Sequence, residues 1–301
     1  MKKVEYSTAT ACLCCNSQDL KRSPAILSPF LAKKIYNWDV VEIDSSWQLR
    51  DIKEGYAYPL CSSLQCRLCD FLFLDIRFTD AEMSRYYEDY QSEDFFKERE
   101  LLEPSFKERR KNMVPGSGDI ADVFSQLNEV EKFISNCVEK RESVLDWGGK
   151  DGLNTPFKDS CRVHHILDFN KRQLSKAKVV SFTKAKKSTY DLVVFRHVLE
   201  HCSYPAEILE QVKDCLSLKS AIYIELPFEE IMHQNVGSKD LYKRKKLWHE
   251  HINFFSEKSI VSLLKRCGYQ ILDSSVMNIK DSSIGGTDGR YHLMYIASLA
   301  N

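Results

Sequence analysis

The chain holds 301 residues, 43% of them hydrophobic and 29% charged, with 43 basic side chains balanced by 43 acidic ones. That length suits one large domain joined to a smaller one, and a net charge of zero leaves no electrostatic footprint for nucleic acid. No run approaches the roughly 18 uninterrupted apolar residues of a membrane span, and the first residues lack the apolar core of a secretory signal. A cytoplasmic protein with neither a nucleic-acid nor a membrane partner is expected, and nothing fixes its oligomeric state.

Residues 1–75 carry six of the eleven cysteines: Cys12, Cys14, Cys15, Cys61, Cys66 and Cys69. An odd total without a signal argues against a disulfide framework. Cys12-x-x-Cys15 and Cys66-x-x-Cys69 are two knuckles, and each offers two thiolates to one tetrahedral zinc. Four sulfurs close the coordination shell, so Zn2+ here is expected to be structural, tying the two ends of a region poor in apolar periodicity. Cys14 and Cys61 remain spares. Cys137, Cys161, Cys202, Cys215 and Cys267 sit among apolar neighbours and read as core thiols.

Residues 76–140 read as a helical linker or lid. Thr79 with Glu82 has the spacing of a capping box. An aromatic and charged run follows from Tyr86 to Phe106, then a turn-like stretch at 113–119, then an amphipathic helix from about Ile120 to Glu139.

From residue 141 to 301 the texture changes. Apolar runs at Ser143–Asp146, His164–Asp168, Lys178–Phe182, Tyr190–Phe195 and Ala221–Leu226 predict five strands. Helices are expected from Tyr204 to Leu216 and from Phe255 to about Cys267, with late strands at Tyr269–Leu272 and His292–Ala297. Strands alternating with helices imply βαβ units and a parallel sheet, an α/β fold.

The first of these strands runs into Asp146-Trp147-Gly148-Gly149-Lys150-Asp151-Gly152. A glycine-rich turn there lets the backbone approach a ligand at the carboxyl end of the sheet. Asp168 ends the second strand, where a doubly wound fold holds a ribose through its hydroxyls. An adenosine-containing ligand fits. A dinucleotide turn would read Gly-x-Gly-x-x-Gly, which this one does not, and the carboxylate of Asp146 would repel a pyrophosphate while suiting a cationic amino group.

This segment resembles motif I of class I S-adenosylmethionine-dependent methyltransferases. Asp191 to His201 is similar to the fourth-strand motif of that superfamily, and Ile222 to Pro227 to its fifth strand. Trp248-His249-Glu250-His251-Ile252-Asn253-Phe254-Phe255-Ser256 resembles a motif of the branch that includes sugar C-methyltransferases, which also carries an N-terminal zinc module. The resemblance covers nearly the whole chain and implies a Rossmann-like methyltransferase fold with a small zinc-binding module and a helical linker. It places Asp146, Gly148, Gly149 and Gly152 against the methionine part of S-adenosyl-L-methionine, Asp168 at the ribose and His197 toward the reactive side. Lys150 stands where the family has glycine, and a side chain there is expected to crowd the turn or alter its φ/ψ. Tyr86, Tyr87, Tyr90 and Arg99 resemble the family's segment between zinc module and catalytic domain. The chain is shorter than that branch and is expected to lack its C-terminal domain, which leaves O-methylation as open as C-methylation.

Removing a proton from an acceptor needs a base. Within the resemblance, the Glu-His pair matching Glu250 and His251 lies at substrate, which casts His251 as base with Glu250 as its partner and His249 beside them. The competing reading has this segment only leading into the helix capped at Ser256. His197 and His201 stand four apart with Glu200 between them, which suggests a metal, but a plain cofactor-side wall is the simpler expectation. The basic run Lys239 to Lys246 suits either solvent or a phosphorylated ligand. Methyl transfer to a small polar, sugar-derived acceptor is therefore expected; the alternative is a catalytically silent protein that keeps the fold and has lost its ligand at Lys150.

Overall fold

The computed structural model describes residues 7–48, 51, 53–90, 92–111, 120–168, 177–279 and 290–300. The turn expected at 113–119 lies outside them.

The first part of the chain supplies β1 (Ser7–Thr8), β2 (Leu20–Leu27), α1 (Pro29–Tyr36), β3 (Val41–Ile43), β4 (Gly55–Ala57), β5 (Leu60–Cys66), β6 (Leu72–Leu74) and β7 (Ile76–Arg77). Three helices follow: α2 (Asp80–Tyr87), α3 (Glu93–Leu102) and α4 (Phe106–Lys111). The Thr79 capping box forms as expected, the side chain accepting from the Glu82 N–H while Glu82 accepts from the Thr79 N–H. Phe30 of α1, Tyr86 of α2 and Phe95 of α3 meet edge to face, with centroids 4.8 to 6.1 Å apart, an arrangement that aromatic quadrupoles favour.

The second part runs α5 (Ile120–Ser135), β8 (Ser143–Trp147), β9 (Val163–Leu167), β10 (Lys178–Val179), α6 (Phe182–Ala185), β11 (Leu192–Arg196), α7 (Pro205–Val212), β12 (Ala221–Pro227), α8 (Glu230–His233), α9 (Leu241–Arg244), β13 (Leu247–Trp248), β14 (Asn253–Phe254), α10 (Glu257–Arg266), β15 (Tyr269–Ile279) and β16 (Arg290–Leu299). Seven strands form one sheet in the order β10-β9-β8-β11-β12-β16-β15. The first five are parallel, and β16 and β15 close the edge antiparallel. Leu192 to Phe195 and Ala221 to Leu226 are buried throughout, as parallel strands covered on both faces must be. This is the Rossmann-like methyltransferase fold expected from the sequence. The strand order reverses between β8 and β11, so the ligand crevice opens at the carboxyl ends of those two strands.

The two parts interlock. A second sheet has the order β13-β2-β5-β6-β14. Its outer strands come from residues 247–254, Trp248 pairing with Leu27 and Phe254 with Leu72. Trp248 is fully buried there and donates its indole N–H to the Ser63 hydroxyl at 2.8 Å. The boundary expected at residue 75 is thus crossed by two strands from much later in the chain.

Candidate functional site

The two Cys-x-x-Cys knuckles converge. The sulfurs of Cys12, Cys15, Cys66 and Cys69 all lie within 4.8 Å of one another, with Cys12 to Cys69 and Cys15 to Cys66 both at 3.5 Å. The knuckles share one backbone device. The N–H of Asn16 returns to the Cys12 carbonyl at 2.9 Å and that of Asp70 to the Cys66 carbonyl at 3.0 Å, and both residues adopt positive φ, 60° and 64°. Four soft donors at this spacing fit a tetrahedral cation. Cys14 lies outside the group and burial pushes its thiol well up. Cys61 also lies outside it, pushed up to about 12 by burial and by Asp75. The knuckles are stitched to the large sheet's side of the molecule, since Ser256 at the head of α10 donates to the Cys69 carbonyl and Arg266 at its end donates to the Leu13 carbonyl.

At the carboxyl end of β8 the turn closes with Gly148 at φ 77°, Lys150 at 52° and Gly152 at 73°. A Cβ on Gly148 would stand 2.8 Å from Val198 Cγ2, and one on Gly149 would stand 2.3 Å from the Asp146 carboxylate, so both positions need glycine. Lys150 does not distort the turn as expected. It takes the left-handed conformation that glycine would take, at a cost of roughly 1 kcal/mol. Its N–H donates to Asp168 Oδ2 at 2.8 Å, linking the turn to the end of β9. Asp146 is buried and accepts from the Thr155 hydroxyl. Burial pushes its carboxyl up to about 6, against the pull of that hydrogen bond. Asp146 therefore braces the turn from inside through Thr155.

Two histidine–carboxylate clusters stand beyond β11 and β12. In the first, Glu225 accepts from Arg196 at 2.6 and 3.3 Å and from the Tyr223 hydroxyl at 3.0 Å, with His292 Nδ1 at 2.8 Å and His197 Nε2 at 3.4 Å. Burial works to raise the Glu225 carboxyl, but His197, His292 and Arg196 together hold it well below its ordinary range. Burial likewise works to lower His197, yet Glu200 and Glu225 hold it up at about 9.

In the second cluster, Glu200, His201 and His251 each offer a ligating atom within 4.8 Å of the others. No helix runs from His197 to His201; a turn closed by the His201 N–H on the Val198 carbonyl brings them there. The His201 and His251 rings lie edge to face, centroids 4.7 Å apart. His251 does not pair with Glu250 as expected. Its Nδ1 lies 2.6 Å from Glu229 Oε1. Glu250 instead receives both Arg99 nitrogens at 3.3 Å, and although burial works to raise it, Arg99 holds its carboxyl down at about 2. His249 is half-buried, and burial lowers it.

A cavity of about 460 Å3 opens beside this cluster, lined by Tyr90, Phe95, Phe96, Arg99, Phe106, Glu229, Lys245, His249, Glu250, His251 and Phe254. Lys245 lies against Trp248 and Phe254, 4.9 and 4.4 Å from their centroids, and burial lowers its ammonium to about 8. All three residues of the expected catalytic tripeptide and the expected lid residues Tyr90 and Arg99 thus meet in one place. Lys245 belongs to the basic run for which the sequence left solvent and a phosphorylated ligand both open, whereas no motif singled out Glu229. A larger cavity of about 1070 Å3 opens at the opposite, amino ends of the strands, among Ser143, Arg162, Asp191 and Ser220, away from the switch point.

The model of a methyltransferase domain matches residues 118–274, more than half of the chain. No curated protein matches the sequence. Solved structures of similar fold include the 1,6-didemethyltoxoflavin-N1-methyltransferase of Burkholderia thailandensis, 15% identical, covering 58% of this chain and 78% of its own, TM-score 0.43. The plantazolicin methyltransferase is 15% identical over 72% of this chain and 95% of its own, TM-score 0.45. A glycopeptide N-methyltransferase is 12% identical over 57% and 93%, TM-score 0.42. No helix among the described residues is long and apolar enough to cross a membrane. With a Rossmann-like sheet, a glycine-bearing turn at its switch point and a domain match over most of the catalytic half, the chain belongs to the S-adenosylmethionine-dependent methyltransferase family.

Proposed function

We propose that the protein moves the methyl group of S-adenosylmethionine to a small polar acceptor of sugar or nucleotide-sugar type, bound in the cavity beside His251. The observation that carries this reading is the mixed lining of that cavity. Tyr90, Phe95, Phe96 and Phe106 line it together with Arg99, Lys245, Glu229, His249 and His251, which suits a ligand with an apolar ring face and polar edges. The Lys245 ammonium suits a phosphorylated acceptor, and the motif of residues 248–256 favours the sugar-methylating branch.

In this reading Gly148, Gly149 and Gly152 admit the methionine part of the cofactor, and Asp168 receives the ribose hydroxyls. The protein's own task is to orient the acceptor in line with the sulfonium methyl and to accept its proton. His251 is assigned that role with Glu229, not Glu250, fixing its ring. The four cysteines hold a structural Zn2+ that keeps the second sheet, and with it the 249–251 segment, in place.

Calorimetric titration with S-adenosylmethionine and S-adenosylhomocysteine tests the cofactor, followed by methylation assays over nucleotide-sugars. Micromolar binding of both is expected. Binding of neither would favour the silent-fold reading, in which Lys150 and its bond to Asp168 close the site.

A further inference from the structure

We infer that Glu200, His201 and His251 form a binding site for a divalent metal ion at the edge of the acceptor cavity, distinct from the four-cysteine site. Glu200 is fully buried, and neither of its carboxylate oxygens accepts a hydrogen bond among the described residues. The nearest cationic atoms are His197 Nδ1 at 3.4 Å and His201 Nε2 at 3.9 Å. These histidines offset part of the charge and hold the Glu200 carboxyl below its ordinary range against burial, yet neither oxygen is hydrogen-bonded, which leaves lone pairs for a further cation to take up.

The two histidines are prepared as ligands. His201 Nδ1 lies 3.0 Å from the Glu250 carbonyl, and His251 Nδ1 lies 2.6 Å from the Glu229 carboxylate. Each ring therefore has one nitrogen engaged and keeps Nε2 for an ion. A backbone carbonyl and a carboxylate are the partners that metal-ligating histidines use to fix tautomer and orientation. Two imidazoles and one carboxylate with positions left open suit a first-row divalent ion such as Mn2+, Fe2+, Co2+ or Zn2+. Because His251 also lines the acceptor cavity, an open position would face an acceptor hydroxyl.

The inference deepens the methyltransferase reading and rests on it for its chemistry. An acceptor hydroxyl bound to the ion loses its proton to water more readily. The oxygen lone pair then forms the O–CH3 bond as the C–S bond of the sulfonium breaks, leaving a methyl ether, S-adenosylhomocysteine and the released proton. With the ion in place His251 is a ligand, and the base role passes to the ion. The nearby His197–Glu225–His292 group also lies within ligating distance, but Glu225 is already committed to Arg196 and Tyr223.

The test titrates the full-length, zinc-loaded protein with Mn2+, following free and bound Mn2+ by electron paramagnetic resonance. One Mn2+ per chain is expected, with imidazole nitrogen coupling. Glu200→Gln and His251→Gln should each weaken binding at least tenfold. His251 is half-exposed, so its variant keeps the test valid should Glu200→Gln fail to fold. Absence of Mn2+ binding in the wild type, or equal binding in a folded variant, overturns the site. Calorimetry with S-adenosylmethionine on the same samples separates the two readings: intact cofactor binding without Mn2+ sinks the ion alone, leaving His251 as base.

Discussion

Glu225 and Glu200 are both fully buried carboxylates, both within reach of His197, and they differ in what surrounds them. Glu225 takes two nitrogens of Arg196, the Tyr223 hydroxyl and His292. Glu200 takes no hydrogen bond among the described residues. Burial of a charge is therefore not in itself the mark of a working group. A carboxylate saturated by hydrogen bonds contributes to the fold, whereas one met only by histidine nitrogens at 3.4 and 3.9 Å keeps lone pairs for a further partner.

The sharpest way to break this comparison is to neutralise each carboxylate in turn. Glu225→Gln leaves Arg196 and His292 facing an amide, and a loss of about 3–5 kcal/mol in urea unfolding is expected. Glu200→Gln removes a charge that only His197 at 3.4 Å and His201 at 3.9 Å offset, with no hydrogen bond formed, and a clearly smaller loss than for Glu225→Gln is expected. Similar losses for both would collapse the distinction. Glu229→Gln comes next, since it removes the carboxylate that fixes the His251 ring. A fall of about 10–100-fold in kcat is expected, with the KM for S-adenosylmethionine unchanged; an unaltered kcat would return Glu250 to the role of partner.

Lys245 extends the comparison to a cation. Burial against Trp248 and Phe254 lowers it to about 8, with the carboxylates of Glu229 and Glu250 opposing that shift; Arg99 and His249 share the cavity. It is charged below that pH and loses its charge above it. For an anionic acceptor, KM should rise about tenfold as the pH passes upward through this range, and Lys245→Met should erase the rise. A flat KM profile in the wild type would remove Lys245 from the acceptor site. The smallest effect is expected at the cofactor turn. Lys150→Gly relieves a left-handed side chain and should raise stability by about 0.5–1 kcal/mol. Calorimetry should find the affinity for S-adenosylmethionine little changed, and a large gain would mean that the lysine itself obstructs the site.

The catalytic half was largely legible because its strands are long apolar runs that depend on few distant residues. Ser143–Trp147, Leu192–Arg196 and Ala221–Pro227 lie where the hydrophobic pattern put them. The meeting of the Cys-x-x-Cys pairs was legible because two such knuckles make the donor set a tetrahedral cation would take whatever the fold around it. Strands β13 and β14 were not, since two residues each carry no periodicity and exist only through pairing with β2 and β6. The partners of Glu250 and His251, expected from the sequence to be catalytic, were hidden for a related reason. Adjacency made Glu250 the obvious companion of His251, yet Arg99 draws it away from 151 positions earlier in the chain, and Glu229 arrives from the loop after β12. Sequence proximity is a poor guide wherever a long-range ion pair competes.

The threading of residues 247–254 through the second sheet has a consequence for how the molecule opens. His249, Glu250 and His251 hang between β13 and β14 like a cord fixed at both ends to a different sheet from the one that carries the cofactor turn. Cooperative opening units follow such pairings more closely than they follow function. In hydrogen exchange the amides flanking this tripeptide should open together with β2, β5 and β6, and chelating the zinc proposed at the four cysteines should loosen them while β8, β11 and β12 stay protected. The acceptor side could then come apart and re-form while the donor stays seated, which would make the cysteine centre the keeper of one substrate and not of the other.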